Sequence, residues 1–381
     1  MLKISENIIE IGKPLPWDCY DTQGLLLLRK GFVVENPRQI TALIERGLFA
    51  DETGSAAIPE VKKEEPASPF QIIDSFKYRL QSIFESFSSP KDAEIPQRVI
   101  RLCADIQKIC KIDADATLGY FHLAHTGERY TVVHPLHIAV LCEVIGQKKG
   151  LAGDERMPLL AAALTANIGM LDLQEKLQLQ TAPLTREQHE AIRLHPLHTV
   201  EKLMEAGIQE ERWIKTVLHH HEKLDGSGYP GALKGDDLTL LIRIVSLADT
   251  YSAMITPRVY RGHILAQEAL RDIFLKRGAE IDPGIAQLFI KELGVFPPGA
   301  CVRLHNGEIA VVIKRSTNRA CPIVQSLIGP RGAPLPVPVK RDTSQPNNAI
   351  KEMVVPDQSM NLDPHKLWGY RAKTATKTKT A

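Results

Sequence analysis

The sequence predicts a mainly α protein: a helical bundle with a small N-terminal α+β module before it and a short C-terminal β-hairpin region after it. Two observations carry this. From Phe70 onward apolar residues recur at helical spacing, with Phe70, Ile73, Phe76, Leu80, Ile83, Phe84 and Phe87 along one stripe. After "GVFPPGACVRL" the period drops to two: "CVRLHNGEIAVVIK" sets an Asn306-Gly307 turn between apolar runs, a hairpin signal, and "PIVQSLIG" supplies a third strand.

The elements follow in order. "IGKPLPWDCYDTQGLLLLRKGFVV" alternates short apolar runs with turn residues such as Asp21 and Gly24, which predicts small strands; "PRQITALIERGLFA" predicts a short helix closed by Gly47. Together they form an accessory module over 1–52. "DETGSAAIPEVKKEEPASP" mixes charges and prolines without an apolar period, so 53–69 reads as a linker. A helical segment over 70–126 leads into a core domain at 127–297, with helices predicted near 95–125, 131–149, 156–171, 185–206, 210–222, 238–255, 263–277 and 282–293. The β region spans 298–345, and 346–381, which ends in the basic run "GYRAKTATKTKTA", is expected to be a disordered tail.

Composition narrows the function. The 381 residues are 44% hydrophobic and 24% charged with a formal net charge of +2, an ordinary globular balance that gives no overall reason to expect nucleic acid or a membrane surface. No apolar run approaches the roughly 18 residues of a membrane span, and Glu6 and Glu10 interrupt the first stretch, so a cytoplasmic protein is expected. Six cysteines include no C-x-x-C pair, which argues for reduced, buried thiols over a zinc site or a disulfide framework.

The densest chemistry is "HHHEKLDGSGYPG" at 219–231. Neighbouring helical side chains diverge by about 100°, so His220 and His221 cannot share one narrow face, but both can reach a site beside the end of their helix. His134, His195 and Asp249 are further candidates. Asp249 falls on the inner stripe of its helix, beside Ile242, Val245 and Ala253, where an unpaired carboxylate is costly and a cation is needed. Histidine with carboxylate favours zinc, iron or manganese. Taken singly, His137, His189, His198, His219 and His263 read as ordinary core or surface residues.

"VLHHHEKLDGSGYPGALKGDDL" and "RIVSLADTYSAMITPRVYR", with His134, the His195-Pro196 pair and Asp282-Pro283 in support, resemble the HD-GYP family of bacterial metal-dependent phosphodiesterases that open cyclic di-GMP. The likeness covers roughly 127–297, and the first 50 or so residues loosely resemble an accessory module found ahead of such domains. The resemblance implies an HD-type helical bundle. It also implies metal ligands at His134, His195, His220, His221 and Asp249, a substrate-side loop at Tyr229, and phosphate contacts from Arg258 and Arg261, whose planar guanidinium groups suit paired hydrogen bonds.

One block departs from the family. Where members read like "LLHDIGKI" this chain has "ALTANIGML", placing Ala166 and Asn167 at the His-Asp pair and Met170 at the lysine. An aspartate there bridges two ions about 3.5–4 Å apart. Without it, two divalent cations repel by something on the order of 20 kcal/mol even at an effective dielectric of 20, and a neutral amide cannot offset that. Met170 offers no charge to a developing phosphate, and Tyr130 stands where some members add a glutamate for a third ion. The remaining ligands predict one divalent ion (iron, manganese or zinc) or none.

The expected function is therefore a degenerate HD-GYP domain that binds cyclic di-GMP or a signalling partner with weak or no hydrolysis. The alternatives are an active phosphodiesterase with an atypical or mononuclear site, and a non-catalytic interaction scaffold. No cyclic di-GMP synthase motif accompanies the domain, so a diguanylate cyclase or other signalling partner would act in trans. Neither nucleic acid nor a membrane span is expected.

Overall fold

In the computed structural model the described residues are 2–3, 12–15, 18–21, 25–34, 49–50, 68–87, 94–123, 128–257, 264–356, 360 and 362–370. The chain divides into two compact units, Met1–Ala67 and Ser68–Ala381.

In the first unit, short strands β1 (Leu2–Lys3), β2 (Cys19–Tyr20), β3 (Leu26–Leu28) and β4 (Phe49–Ala50) form an antiparallel sheet in the order β1-β4-β2-β3. Phe49 and Ala50, just past the Gly47 that closes the predicted helix, pair with both β1 and β2. The body of that predicted helix, 37–48, and residues 53–67 of the predicted linker 53–69 lie outside the described residues; the linker's last two, Ser68 and Pro69, open the first long helix instead.

The second unit begins at Ser68, whose hydroxyl accepts the Phe70 N–H to cap α1 (Pro69–Ser86), with proline at the first helical position where its missing N–H costs nothing. The Phe70, Ile73, Phe76, Leu80, Ile83 and Phe84 stripe is buried as its spacing predicts. α2 (Ile95–Leu123) breaks at Asp113, whose φ of −154° is non-helical and whose carboxylate caps the restart by accepting Ala116 N–H at 2.9 Å. α3 (Tyr130–Lys149) is buried along most of its length and ends at Gly150 with φ of 91°, a left-handed position suited to glycine. It is the axis of the bundle, packed by α2, by α4 (Arg156–Thr165) and by α8 (Leu240–Ile255).

The predicted helix 156–171 is shorter in the structure. α4 stops at Thr165, a tight turn covers Ile168–Met170, and a separate α5 (Leu171–Leu179) follows. α6 (Arg186–Glu205) opens with a capping box in which Thr185 accepts Gln188 N–H and the Gln188 side chain accepts Thr185 N–H. α7 (Glu211–His219), α9 (Ala266–Lys276) and α10 (Pro283–Leu293) complete the bundle.

Beyond it, β5 (Cys301–Leu304), β6 (Ile309–Lys314), β7 (Ile323–Ile328), β8 (Pro334–Asp342) and β9 (Ile350–Met353) form an antiparallel sheet in the order β8-β7-β6-β5-β9. The Asn306-Gly307 turn joins β5 and β6 as expected, with Gly307 at φ of 90°. The predicted tail is corrected over much of its length. β9 is the edge strand beside β5, and α11 (Pro364–Trp368) is held in place by Trp368. The Trp368 indole donates to Ile313 O at 2.8 Å, and its ring lies so close to Gly119 that an added Cβ would sit 2.4 Å away. Residues 371–381 lie outside the described residues. Among the described residues no helix is long and apolar enough to cross a membrane.

Candidate functional site

A cavity of about 530 Å³ opens between α3, α5, α6 and α8, and His134, His195, His221, Tyr229 and Asp249 all line it. Beside it, two histidines are set at places where helix geometry leaves a carbonyl free. Within α6, Pro196 has no N–H to donate to the carbonyl four residues earlier, and that carbonyl, Ile192 O, accepts His195 Nδ1–H at 2.6 Å. At the end of α7, where the last carbonyls lack helical partners, Val217 O accepts His220 Nδ1–H at 2.6 Å.

Both rings are thus held as tautomers with the lone pair on Nε2, and the two Nε2 atoms face each other at 3.3 Å. Protonation does not relieve this contact. Burial, reinforced by the neighbouring His220 ring, which disfavours a second positive charge, pushes His195 down to about 3, and burial also lowers His220 and, further, His221. Two neutral imidazoles presenting lone pairs to one another suit a cation between them, and ligand atoms of His195, His220 and His221 all lie within 4.8 Å of one another. The donor set fits one divalent ion, with the Nδ1-to-carbonyl bonds aiming the rings.

His134 and Asp249 stand beside this cluster as a pair. His134 Nε2 is 2.9 Å from Asp249 Oδ1, and the other carboxylate oxygen is 3.8 Å from His221 Nδ1. Burial raises the Asp249 pKa, but the hydrogen bond from His134 and the nearby imidazoles outweigh it and hold the carboxyl below its usual range. Ser252 bridges His134 Nδ1 at 2.9 Å and His137 Nδ1 at 3.0 Å, so His137, an ordinary core residue by sequence, steadies a site residue. Tyr130 stacks on His134 with ring centroids 4.6 Å apart.

The Gly-Tyr-Pro loop is built around a residue that the sequence analysis did not single out. Glu222 is buried, and its carboxylate accepts Gly231 N–H at 2.5 Å and Leu233 N–H at 3.2 Å, closing the loop on itself. An acid placed between a histidine pair and a glycine-rich run is the signal that could have found it. Gly228 passes so near the loop's start that a Cβ would meet Glu222 Cα at 2.4 Å. The result sets Tyr229 over His221, centroids 4.8 Å apart, with the Arg193 guanidinium 5.4 Å from the tyrosine ring.

The turn that follows α4 is pinned just as firmly. Thr199 Oγ1 lies 3.0 Å from Ala166 O and 2.8 Å from His195 O, and accepts Gly169 N–H at 3.0 Å. A Cβ on Gly169 would meet His195 O at 2.6 Å. Ala166 is buried, while Asn167 and Met170 line the cavity. Asp282, part of the supporting Asp-Pro pair, caps α10 by accepting Ile285 N–H at 2.8 Å and binds Arg243 at 2.7 Å, a structural role. Arg258 and Arg261 lie outside the described residues.

Comparison with known proteins agrees with this geometry. Residues 116–285 match the HD domain family. Bd1817, an HDG"Y"P protein from Bdellovibrio bacteriovorus, has a similar fold over 76% of this chain and 98% of its own, with a TM-score of 0.51 and 17% identity. This chain carries an HD domain of the HD-GYP kind. The HD-GYP domain is also similar in sequence to the cyclic di-GMP phosphodiesterase PA4108 of Pseudomonas aeruginosa, 26% identical over 65% of this chain and 58% of that protein. The cyclic di-GMP phosphodiesterase PdeB of Borreliella burgdorferi is 24% identical over 51% of this chain and 52% of its own. The chain thus spans little more than half the length of these two relatives.

Proposed function

We propose that this HD-GYP domain is a signalling module that binds cyclic di-GMP, or a signalling partner, with weak or no hydrolysis. The observation that carries the reading is a contrast within one cavity: three histidines keep their ligand nitrogens within 4.8 Å of one another, while Asn167 and Met170 line the same cavity at the positions where the family pattern has an aspartate and a lysine. A bound ion would be held by His195, His220 and His221, with Asp249 and His134 beside them, and would supply positive charge to attract and polarise a phosphate.

Each of the chain's own groups then has a task. Asp249 balances the cation's charge, Tyr229 covers His221 and closes one side of the cavity, and the Gly-Tyr-Pro loop keeps water from that flank. With no carboxylate at 167, the cavity lacks the anion that would hold a second ion against the first. The three-histidine cluster also favours a second reading, a slow phosphodiesterase with one ion.

The two readings separate in one experiment. Purified protein is titrated with cyclic di-GMP by calorimetry, with and without manganese or iron, and the same mixtures are chromatographed for linear pGpG and GMP. Binding without product supports the module; steady product formation supports the enzyme; neither binding nor product contradicts both.

A further inference from the structure

The residues that line the cavity supply one carboxylate, Asp249, and no lysine or arginine. A phosphate-bearing ligand therefore meets a lining whose one fixed charge has its own sign, and Met170 stands where the family pattern has a lysine. A bound ion answers part of that repulsion. A cation from just outside the lining would answer more.

Arg193 is placed to supply it. On α6 it directly follows Ile192 and lies two residues before His195, both of which line the cavity. Its side chain turns over the Gly-Tyr-Pro loop: the guanidinium carbon is 5.4 Å from the centre of the Tyr229 ring, and that ring, also part of the lining, stacks on His221. Contact with a ring leaves the five N–H donors of a guanidinium available to an acceptor. Other arginines of the bundle have theirs engaged, Arg129 with Glu175 and Arg243 with Asp282. Arg193 makes no ion pair or hydrogen bond among the described residues, although Glu190 stands three residues earlier on the same helix, a spacing that allows one. It is exposed, so a ligand that extends from the cavity across Tyr229 reaches it without any rearrangement of the core.

We propose that Arg193 is a phosphate-binding residue of this cavity, its guanidinium resting on Tyr229 and donating to a phosphate oxygen of the ligand. The inference rests on the nucleotide-binding reading above and adds a contact on α6 to those that the family resemblance implies at Arg258 and Arg261. The alternative is that Arg193 only supports the Tyr229 ring, and the two roles are separable.

The full chain and its Arg193→Gln and Arg193→Lys variants, each checked for an unchanged melting profile, are titrated by calorimetry with cyclic di-GMP, GMP and guanosine, at fixed manganese and several salt concentrations. The expected result is that Arg193→Gln weakens cyclic di-GMP and GMP by about three- to tenfold, leaves guanosine unchanged and flattens the fall of affinity with salt. Arg193→Lys, which keeps the charge without the planar fork, should recover part of the loss. Unchanged binding of the phosphate-bearing ligands by Arg193→Gln would overturn the proposal and leave the nucleotide-binding reading standing. A loss that extends equally to guanosine, or that leaves the salt dependence as it was, would assign Arg193 to supporting Tyr229 and overturn it too. If cyclic di-GMP does not bind but GMP binding depends on Arg193 in this way, the role of Arg193 stands and the cyclic-dinucleotide reading falls. If neither phosphate-bearing ligand binds, both fall.

Discussion

Two turns border the cavity, and they differ. The loop at 219–231 keeps both its backbone constraints and its chemistry: Gly228 is required by close approach, Glu222 ties the loop, and His220, His221 and Tyr229 remain. The turn at 166–170 keeps only the first. Gly169 is required by its contact with α6 and Thr199 clamps the carbonyl of Ala166, yet the side chains at 166, 167 and 170 are apolar or neutral. Backbone geometry at both turns is part of the packing; under the proposed reading, the side chains at 166, 167 and 170 can depart from the family pattern without disturbing it.

The comparison predicts unequal costs. Glu222→Ala leaves the Gly231 and Leu233 N–H groups without their acceptor and should lower stability by about 3 kcal/mol. Asn167→Ala, with no side-chain hydrogen bond among the described residues, should cost less than about 1 kcal/mol. Urea denaturation of both variants checks this, and equal costs would erase the distinction between the two turns. Gly169→Ala should cost about 2 kcal/mol through overpacking against His195 O, and Thr199→Val about 1 kcal/mol, which would show that the emptied turn is still held by its frame.

A smaller effect concerns pH. His195 is lowered from 6.5 to about 3 by burial, with His220 and His221 lowered as well, so between those limits the unfolded chain takes up more protons than the folded one. Stability from these groups is present above about 6.5 and is lost as pH falls toward 3. The melting temperature of metal-free protein should therefore decline steadily from pH 7 to pH 5, and a flat profile would show that the histidines are not buried as described.

Much of this was legible in the sequence. The stripe from Phe70 to Phe84 and the Asn306-Gly307 hairpin were readable because burial on one face imposes a period. His134, His195, His220, His221 and Asp249 were found as types and positions, and all converge on one locality. What escaped depends on contacts that local pattern does not encode. α5 is only 9 residues long and amphipathic by weak margins, and β9 is a 4-residue edge strand defined by its partner β5. α11 is held by one indole against Gly119 and Ile313 O.

The proposed reading is that the cavity holds at most one ion, because the 166–170 turn offers no carboxylate, and binds its ligand beside the 219–231 loop. It is tested most directly by counting metal per chain, by elemental analysis after equilibration with manganese or iron, in the unmodified protein and in the Ala166→His/Asn167→Asp double variant. The account predicts no more than one ion in the unmodified chain, and a second ion together with new cyclic di-GMP cleavage in the variant. Two ions bound by the unmodified chain, or a double variant that gains neither metal nor activity, would contradict it.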